Sequence, residues 1–241
     1  MDALEWSRHV RPGRFLKILA LDTSTEYCSV ALSVDDEIDT RETLAGQRHS
    51  ELLLPMVDEL LAARALRLHD LTGIAFGQGP GSFTGLRITC GVVQGLAFGA
   101  GLPVVGIGTL LAMAAGTDAA RVVCCVDARV REIYHAAYEK RGNEWHALKE
   151  PSLCAPDAVP ELPGRGWLGC GNGFAVYADV LRARYDGQLS AVEPERFPHA
   201  REIARLSRPL FASGRAMSAE HAAPVYLREK VALRIDERPN R

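Results

Sequence analysis

Short apolar runs alternate with polar turns at the start of the chain before longer rhythms take over. Residues 17–23 (KILALDT), 28–34 (CSVALSV) and 37–43 are β-rich stretches separated by Ser24-Thr25 and Asp35-Asp36, residue types that close turns through their own side chains. Connections this short join antiparallel neighbours, so three consecutive antiparallel strands are predicted. Residues 49–66 then place Leu52, Leu53, Met56, Val57, Leu60 and Leu61 at helical spacing, with Pro55 falling in the first two turns. An apolar run at 71–76 stops at Gly77-Gln78-Gly79-Pro80-Gly81-Ser82, and 83–99 resumes a helical pattern. Strand, tight loop and helix is the simplest parse.

Further on, the pattern predicts a strand at 103–107, a short helix at 110–115 and a strand at 121–126. Residues 132–139 and 144–149 read as two strands joined at Arg141-Gly142-Asn143. Prolines gather between 151 and 166, which predicts loop with at most one helical turn. A strand at 166–170 and helices at 174–185 and 200–212 complete the reading. The order βββαβα followed by a looser, β-rich half predicts an α/β protein whose halves echo each other, without a sequence repeat of fixed period.

Composition narrows this picture. At 241 residues, with 47% hydrophobic and 24% charged positions, the chain has the makings of one large or two small folded domains and not of a disordered or collagen-like polymer. Lysine and arginine total 28 against 30 acidic residues, a net charge of −2, so no basic excess supports tight autonomous binding to nucleic acid. The six cysteines form no CxxC pair and sit in apolar surroundings, as small buried hydrophobes do, and no disulfide is expected. No run of 18 apolar residues occurs and residues 1–14 lack the apolar core of a secretory leader, so a cytoplasmic location and no membrane contact are expected. Residues 1–15 are expected to be a flexible extension outside the fold.

Candidate chemistry is sparse. Asp22 and Thr23 close the first strand, where a carboxylate and a hydroxyl suit either hydrated Mg²⁺ and phosphate or the capping of a hairpin turn. Gly79, Gly81 and Ser82 belong to GQGPGSFTG, a segment that fits either a phosphate cradle before a helix or a rigid turn capped by Ser82 or Thr84. It satisfies neither GxxxxGK[ST] nor GxGxxG. Gly91, Gly95 and Gly99 recur every four residues in the following helix, at a cost of about 1 kcal/mol each relative to alanine, and imply a close contact with either this chain's own sheet or a partner. Asp127-Ala128-Arg129 closes another strand as a turn anchor or a ligand contact. The seven histidines form no HxxxH or HExxH, and no serine sits in a GxSxG elbow, so neither a metal nor a catalytic residue is assigned.

Several segments together resemble one family: ILALDTSTEYCSVAL (18–32), QRHSELLLP (47–55), GPGSFTGLR (79–87), QGLAFG (94–99), DARVREIYHAAY (127–138) and PVYLREKVA (224–232). They are similar to the TsaB (YeaZ) family, dimerisation subunits of the bacterial machinery that makes N6-threonylcarbamoyladenosine at position 37 of tRNA. The resemblance implies an ASKHA fold (actin-like ATPase, RNase H-like) with two subdomains based on βββαβα, the second reduced. Residues 16–108 and 218–241 would form the first subdomain and 109–217 the second. It further implies a non-catalytic subunit that binds and activates a paralogue, TsaD, which transfers the threonylcarbamoyl group from threonylcarbamoyl-AMP to adenosine. TsaD's metal-binding HxxxH pair would fall at Thr109 and Met113, neither of which supplies an imidazole.

In that family the first two helices form the dimer face. Carried onto this chain, the implied partner contacts are Leu53, Met56, Val57 and Leu60 on the first helix and Arg87, Gly91, Gly95 and Phe98 on the second. The same face would serve a homodimer, the ATPase TsaE would be a third partner, and tRNA would be met only through the complex. No cofactor is required, with weak ATP or ADP and Mg at a subunit interface left open. Two other readings stand beside this one. An active ASKHA ATPase or phosphotransferase would use Asp22, Thr23, Gly79, Gly81, Ser82, Gly169 and Gly171 as nucleotide-facing residues; a metallopeptidase-like hydrolase is the least favoured.

Overall fold

The computed structural model describes residues 16–228; the extension expected at 1–15 and the tail from 229 onward lie outside the described residues. The first sheet contains β1 (Lys17–Asp22), β2 (Tyr27–Val34), β3 (Glu37–Leu44), β4 (Gly73–Gly79) and β5 (Val104–Gly108), ordered β3-β2-β1-β4-β5. The hairpin strands pair antiparallel, while β1, β4 and β5 run parallel. Helices α1 (His49–Ala63) and α2 (Phe83–Ala100) supply the long connections that parallel neighbours need.

The second sheet repeats this plan with β6 (Arg121–Asp127), β7 (Ile133–Arg141), β8 (Glu144–Cys154), β9 (Trp167–Cys170) and β10 (Leu189–Glu193), ordered β10-β9-β6-β7-β8. Again two antiparallel pairings precede two parallel ones. The helix that would answer α1 is cut to a single 3₁₀ turn at Pro156–Ala158, and the answer to α2 is two short pieces, α4 (Gly173–Val176) and α5 (Ala178–Arg184). This is the ASKHA arrangement with a reduced second half. The helix expected over 174–185 is therefore broken at Tyr177, and β8 runs through Pro151 to Cys154, into the segment read as loop. Strand β10 has no counterpart in the sequence reading.

The central strand β1 is apolar at nearly every position because both of its faces are covered. Successive side chains alternate between faces. Leu19 and Leu21 join Leu53, Val57, Leu60, Val93 and Ala97 from α1 and α2. Ile18 and Ala20 join Ile203, Ala204 and Phe211 from α6 (Ala200–Ala212) on the opposite side. This corrects the expected partition: α6, counted with the second subdomain, packs on the first sheet. Helix α3 (Thr109–Ala115) links the halves, with Ala112 in the first core and Leu110 and Met113 in the second. Among the described residues no helix is long and apolar enough to cross a membrane.

Candidate functional site

The end of β1 and the glycine-rich loop are built into each other. Asp22 is 1% exposed, and its Oδ2 accepts from the backbone N–H (3.2 Å) and hydroxyl (2.9 Å) of Ser24. Its Oδ1 has no partner and lies against Gly77, where a Cβ would meet it at 1.9 Å. Burial pushes the Asp22 carboxyl up to about 7, against the opposing pull of the Ser24 hydrogen bonds. The Thr23 hydroxyl donates to Gly85 O (2.7 Å), and Ser82 N–H donates to Ser24 O (2.7 Å). A Cβ on Gly85 would stand 1.8 Å from Thr23 O, so only glycine lets α2 start this close to the turn. Gly79, at φ +116°, lies under Val225, whose N–H donates to Gln78 O (2.7 Å).

These glycines therefore serve backbone contact. Of the seven nucleotide-facing candidates, Gly81 and Ser82 border the cleft between the halves, whereas Asp22, Thr23, Gly79, Gly169 and Gly171 do not. Gly169 lies beneath the Phe174 ring, and Gly171 against Cys125 O. Gly79, Gly169 and Gly171 are corrected from ligand-facing to structural, because each packs directly against protein atoms. The turn-capping alternative holds for Asp22 through Oδ2, whereas the Thr23 hydroxyl ties the strand end to α2; helix capping holds for Ser82, whose Oγ accepts from Gly85 N–H (3.3 Å).

The cleft measures about 880 Å³ and is lined in part by Thr109, Leu110 and Met113. The Thr109 hydroxyl donates to Pro80 O, and Met113 is buried in the second core. The loop after β6 forms part of the rim. Arg129, Val130 and Arg131 all adopt the left-handed conformation (φ 65°, 55° and 57°), which costs non-glycine residues of order 1 kcal/mol each. Asp127 holds them there, accepting from Arg129 N–H (3.0 Å) and the Tyr177 hydroxyl (3.1 Å) while pairing with the Arg129 guanidinium (3.2 Å). Of its two readings, Asp127-Ala128-Arg129 is thus the turn anchor. Among the described residues no group of three His, Cys, Asp or Glu side chains is placed to hold a metal.

A strap over 222–228 joins this loop to α2. Gln94 donates to Ala222 O (2.8 Å), and the Phe83 and Tyr226 rings lie 5.3 Å apart. Arg228 donates to Ala128 O (2.9 Å) and pairs with Glu132 (2.6 Å). The family resemblance implied that 218–241 joins the first subdomain but named none of these contacts, although Gln94, a polar position inside an apolar helix, marks where the strap lands.

The other surface is the outer face of α2. At 3.6 residues per turn, Arg87, Gly91, Gly95 and Phe98 fall within an arc of about 80°. All four are exposed, Phe98 at 80%. A Cβ on Gly91, Gly95 or Gly99 would meet nothing within 4 Å, so the glycine stripe does not serve the chain's own sheet. On α1 the assignment is reversed. Leu53, Met56, Val57 and Leu60 are buried in the first core and are corrected from partner contacts to core residues. The exposed residues of α1 are others, Leu54, Pro55 and Asp58 among them.

Comparison with known proteins places this geometry. The profile of a family described as "TsaD: tRNA N6-adenosine threonylcarbamoyltransferase" matches residues 41–234. The chain is 38% identical over 226 residues to the Escherichia coli protein named "tRNA threonylcarbamoyladenosine biosynthesis protein TsaB", covering 90% of this chain and 96% of that one. The Haemophilus influenzae protein of the same name is 37% identical over 229 residues, covering 90% and 95%. The solved structure "YeaZ from Pseudomonas aeruginosa" superposes with a TM-score of 0.82 at 36% identity, covering 88% of this chain and all of that one.

Proposed function

Because the chain belongs to the TsaB (YeaZ) family, whose curated members are named tRNA threonylcarbamoyladenosine biosynthesis proteins, we propose that it acts as the non-catalytic subunit of that pathway. It binds a TsaD-type paralogue through the outer face of α2 and the exposed side of α1, and so holds the paralogue in its active arrangement for threonylcarbamoyl transfer to adenosine 37. TsaE is a third partner, and tRNA is met through the complex. A second copy of this chain fits the same face when the paralogue is absent, and any ATP or ADP with Mg binds weakly at the subunit interface.

One observation carries this reading: α2 turns Phe98 and an uncovered glycine stripe to solvent, a costly surface for a helix to keep unless another backbone approaches it. The cleft supports the non-catalytic part. Thr109 and Met113 stand at the positions that the resemblance matches to metal-binding histidines, and both are taken up by packing. Of the residues on which an ATPase reading would lean, Asp22 gives one carboxylate oxygen to the Ser24 turn and the Thr23 hydroxyl is taken by Gly85 O on α2.

Light scattering of the purified chain mixed with its TsaD-type paralogue tests the proposal. A 1:1 complex is expected at micromolar concentration, and Gly95→Glu should abolish it while the isolated variant melts no lower than the parent. Depleting the chain should remove the modified adenosine from tRNA, and the Gly95→Glu variant should fail to restore it. Restoration by that variant would place the essential function elsewhere on the molecule.

A further inference from the structure

Helix α2 carries one charged residue along its 18 positions, Arg87, and no acidic one. The guanidinium is fixed on two sides. Its carbon lies 3.8 Å above the centre of the Phe83 ring, and its Nε–H donates to the Tyr226 hydroxyl at 3.0 Å. Tyr226 is itself placed by the Phe83 ring and by the strap, which is anchored through Val225 N–H to Gln78 O. The two terminal nitrogens of Arg87 make no ion pair or hydrogen bond among the described residues, in contrast with Arg41, Arg48, Arg64, Arg121 and Arg228, each of which pairs with a carboxylate.

An arginine stacked on an aromatic ring and bonded through Nε has lost most of its rotamer freedom before any partner arrives. What remains is a planar fork of N–H donors, the geometry that meets a carboxylate with two parallel hydrogen bonds. We propose that Arg87 is a preset carboxylate receptor: the partner that lies along α2 brings an aspartate or glutamate opposite this residue, and the pair fixes the register of the contact. The inference rests on the scaffold reading above and specifies its chemistry. The occupant is a protein carboxylate because Arg87 shares its arc with Phe98, some 16 Å further along the helix at 1.5 Å per residue. A partner long enough to cover both ends is a folded protein element whose counter-charge comes from its own side chain. Phe83 and Tyr226 are positioning residues: they act through Arg87.

The experiment is a charge-reversal cycle on the complex of the full chain with its TsaD-type paralogue, followed by isothermal titration. Arg87→Glu is expected to weaken binding about tenfold or more, since one carboxylate is left facing another. Arg87→Lys should recover only part of the affinity, because an ammonium offers neither the fork nor the stacked plane. Exposed Asp and Glu residues of the paralogue's helices are then reversed to Arg one at a time; one of them should restore binding to Arg87→Glu and weaken it to the parent chain. The isolated variants should keep a single cooperative melting transition, lowered by no more than the loss of the Phe83 stack and the Tyr226 hydrogen bond. If Arg87→Glu binds as tightly as the parent while Gly95→Glu does not bind, the receptor is refuted and the scaffold stands. Loss in both variants with no restoring reversal also overturns the receptor. Full binding by both removes the scaffold reading itself.

Discussion

Asp22 and His135 are both buried ionisable groups, and they tilt stability in opposite directions. Unfolded, the Asp22 carboxyl ionises near 3.8; folded, it keeps its proton up to about 7. The folded chain therefore binds more protons across that window, and stability falls as pH rises through it, by about 4 kcal/mol at about 1.4 kcal/mol per pH unit. His135, whose Nε2 lies 3.0 Å from the Tyr185 hydroxyl, is held down to about 4 by burial, from an ordinary 6.5. Here the unfolded chain binds more protons, so about 3 kcal/mol is lost as pH falls from 6.5 towards 4. Between pH 4 and 6.5 the two slopes oppose each other. Asp22→Asn should remove the first, so that urea midpoints rise between pH 5 and pH 8; midpoints that still fall would refute the assignment. The sequence showed an aspartate at a strand end. Its burial comes from Gly77, 55 positions away, and no local pattern carries that information.

Among the elements, α2 carries glycines of two opposite kinds. Gly85 faces inward against Thr23 O, and Gly85→Ala should cost roughly 1–3 kcal/mol or more, as overpacking does. Gly91 faces open space, and Gly91→Ala should stabilise the isolated chain by about 1 kcal/mol through helix propensity alone. Thermal melts of the two variants side by side check the contrast. Periodicity located both helices, because the 3.6-residue rhythm is a direct record of a buried stripe. On α1 the family resemblance implied partner contacts at the positions of that same stripe. An apolar stripe reports that something covers it, and Leu53 and Leu60 are covered by β1 and β2 of the same chain. Strand β10 escaped because LSAVE is short and mostly exposed at a sheet edge, where little burial is needed to hold a strand.

For the whole molecule, the reduced second half was implied by the family resemblance, while the βββαβα order of the first half and its antiparallel opening trio were legible, since connection lengths constrain topology. The joins between halves were not, because they depend on single long-range contacts. Arg228 is one: it ties the strap to the left-handed loop through Ala128 O and Glu132. Arg228→Ala should lower global stability by roughly 1–3 kcal/mol, the scale of a charged hydrogen bond lost. Amide exchange at Ala128 and Glu132 should accelerate before any strand of either sheet; unchanged exchange there would show that Asp127 alone suffices.

The return of α6 to the first sheet has a consequence for how the chain is made. Strand β1 is translated some 180 residues before the helix that shields Ile18 and Ala20. At elongation speeds of about 5–20 residues per second, that flank of the nascent sheet stays wet for about ten to forty seconds. Throughout that interval a chaperone, or a neighbouring polysome product, competes for the place that Ile203 and Phe211 will finally take.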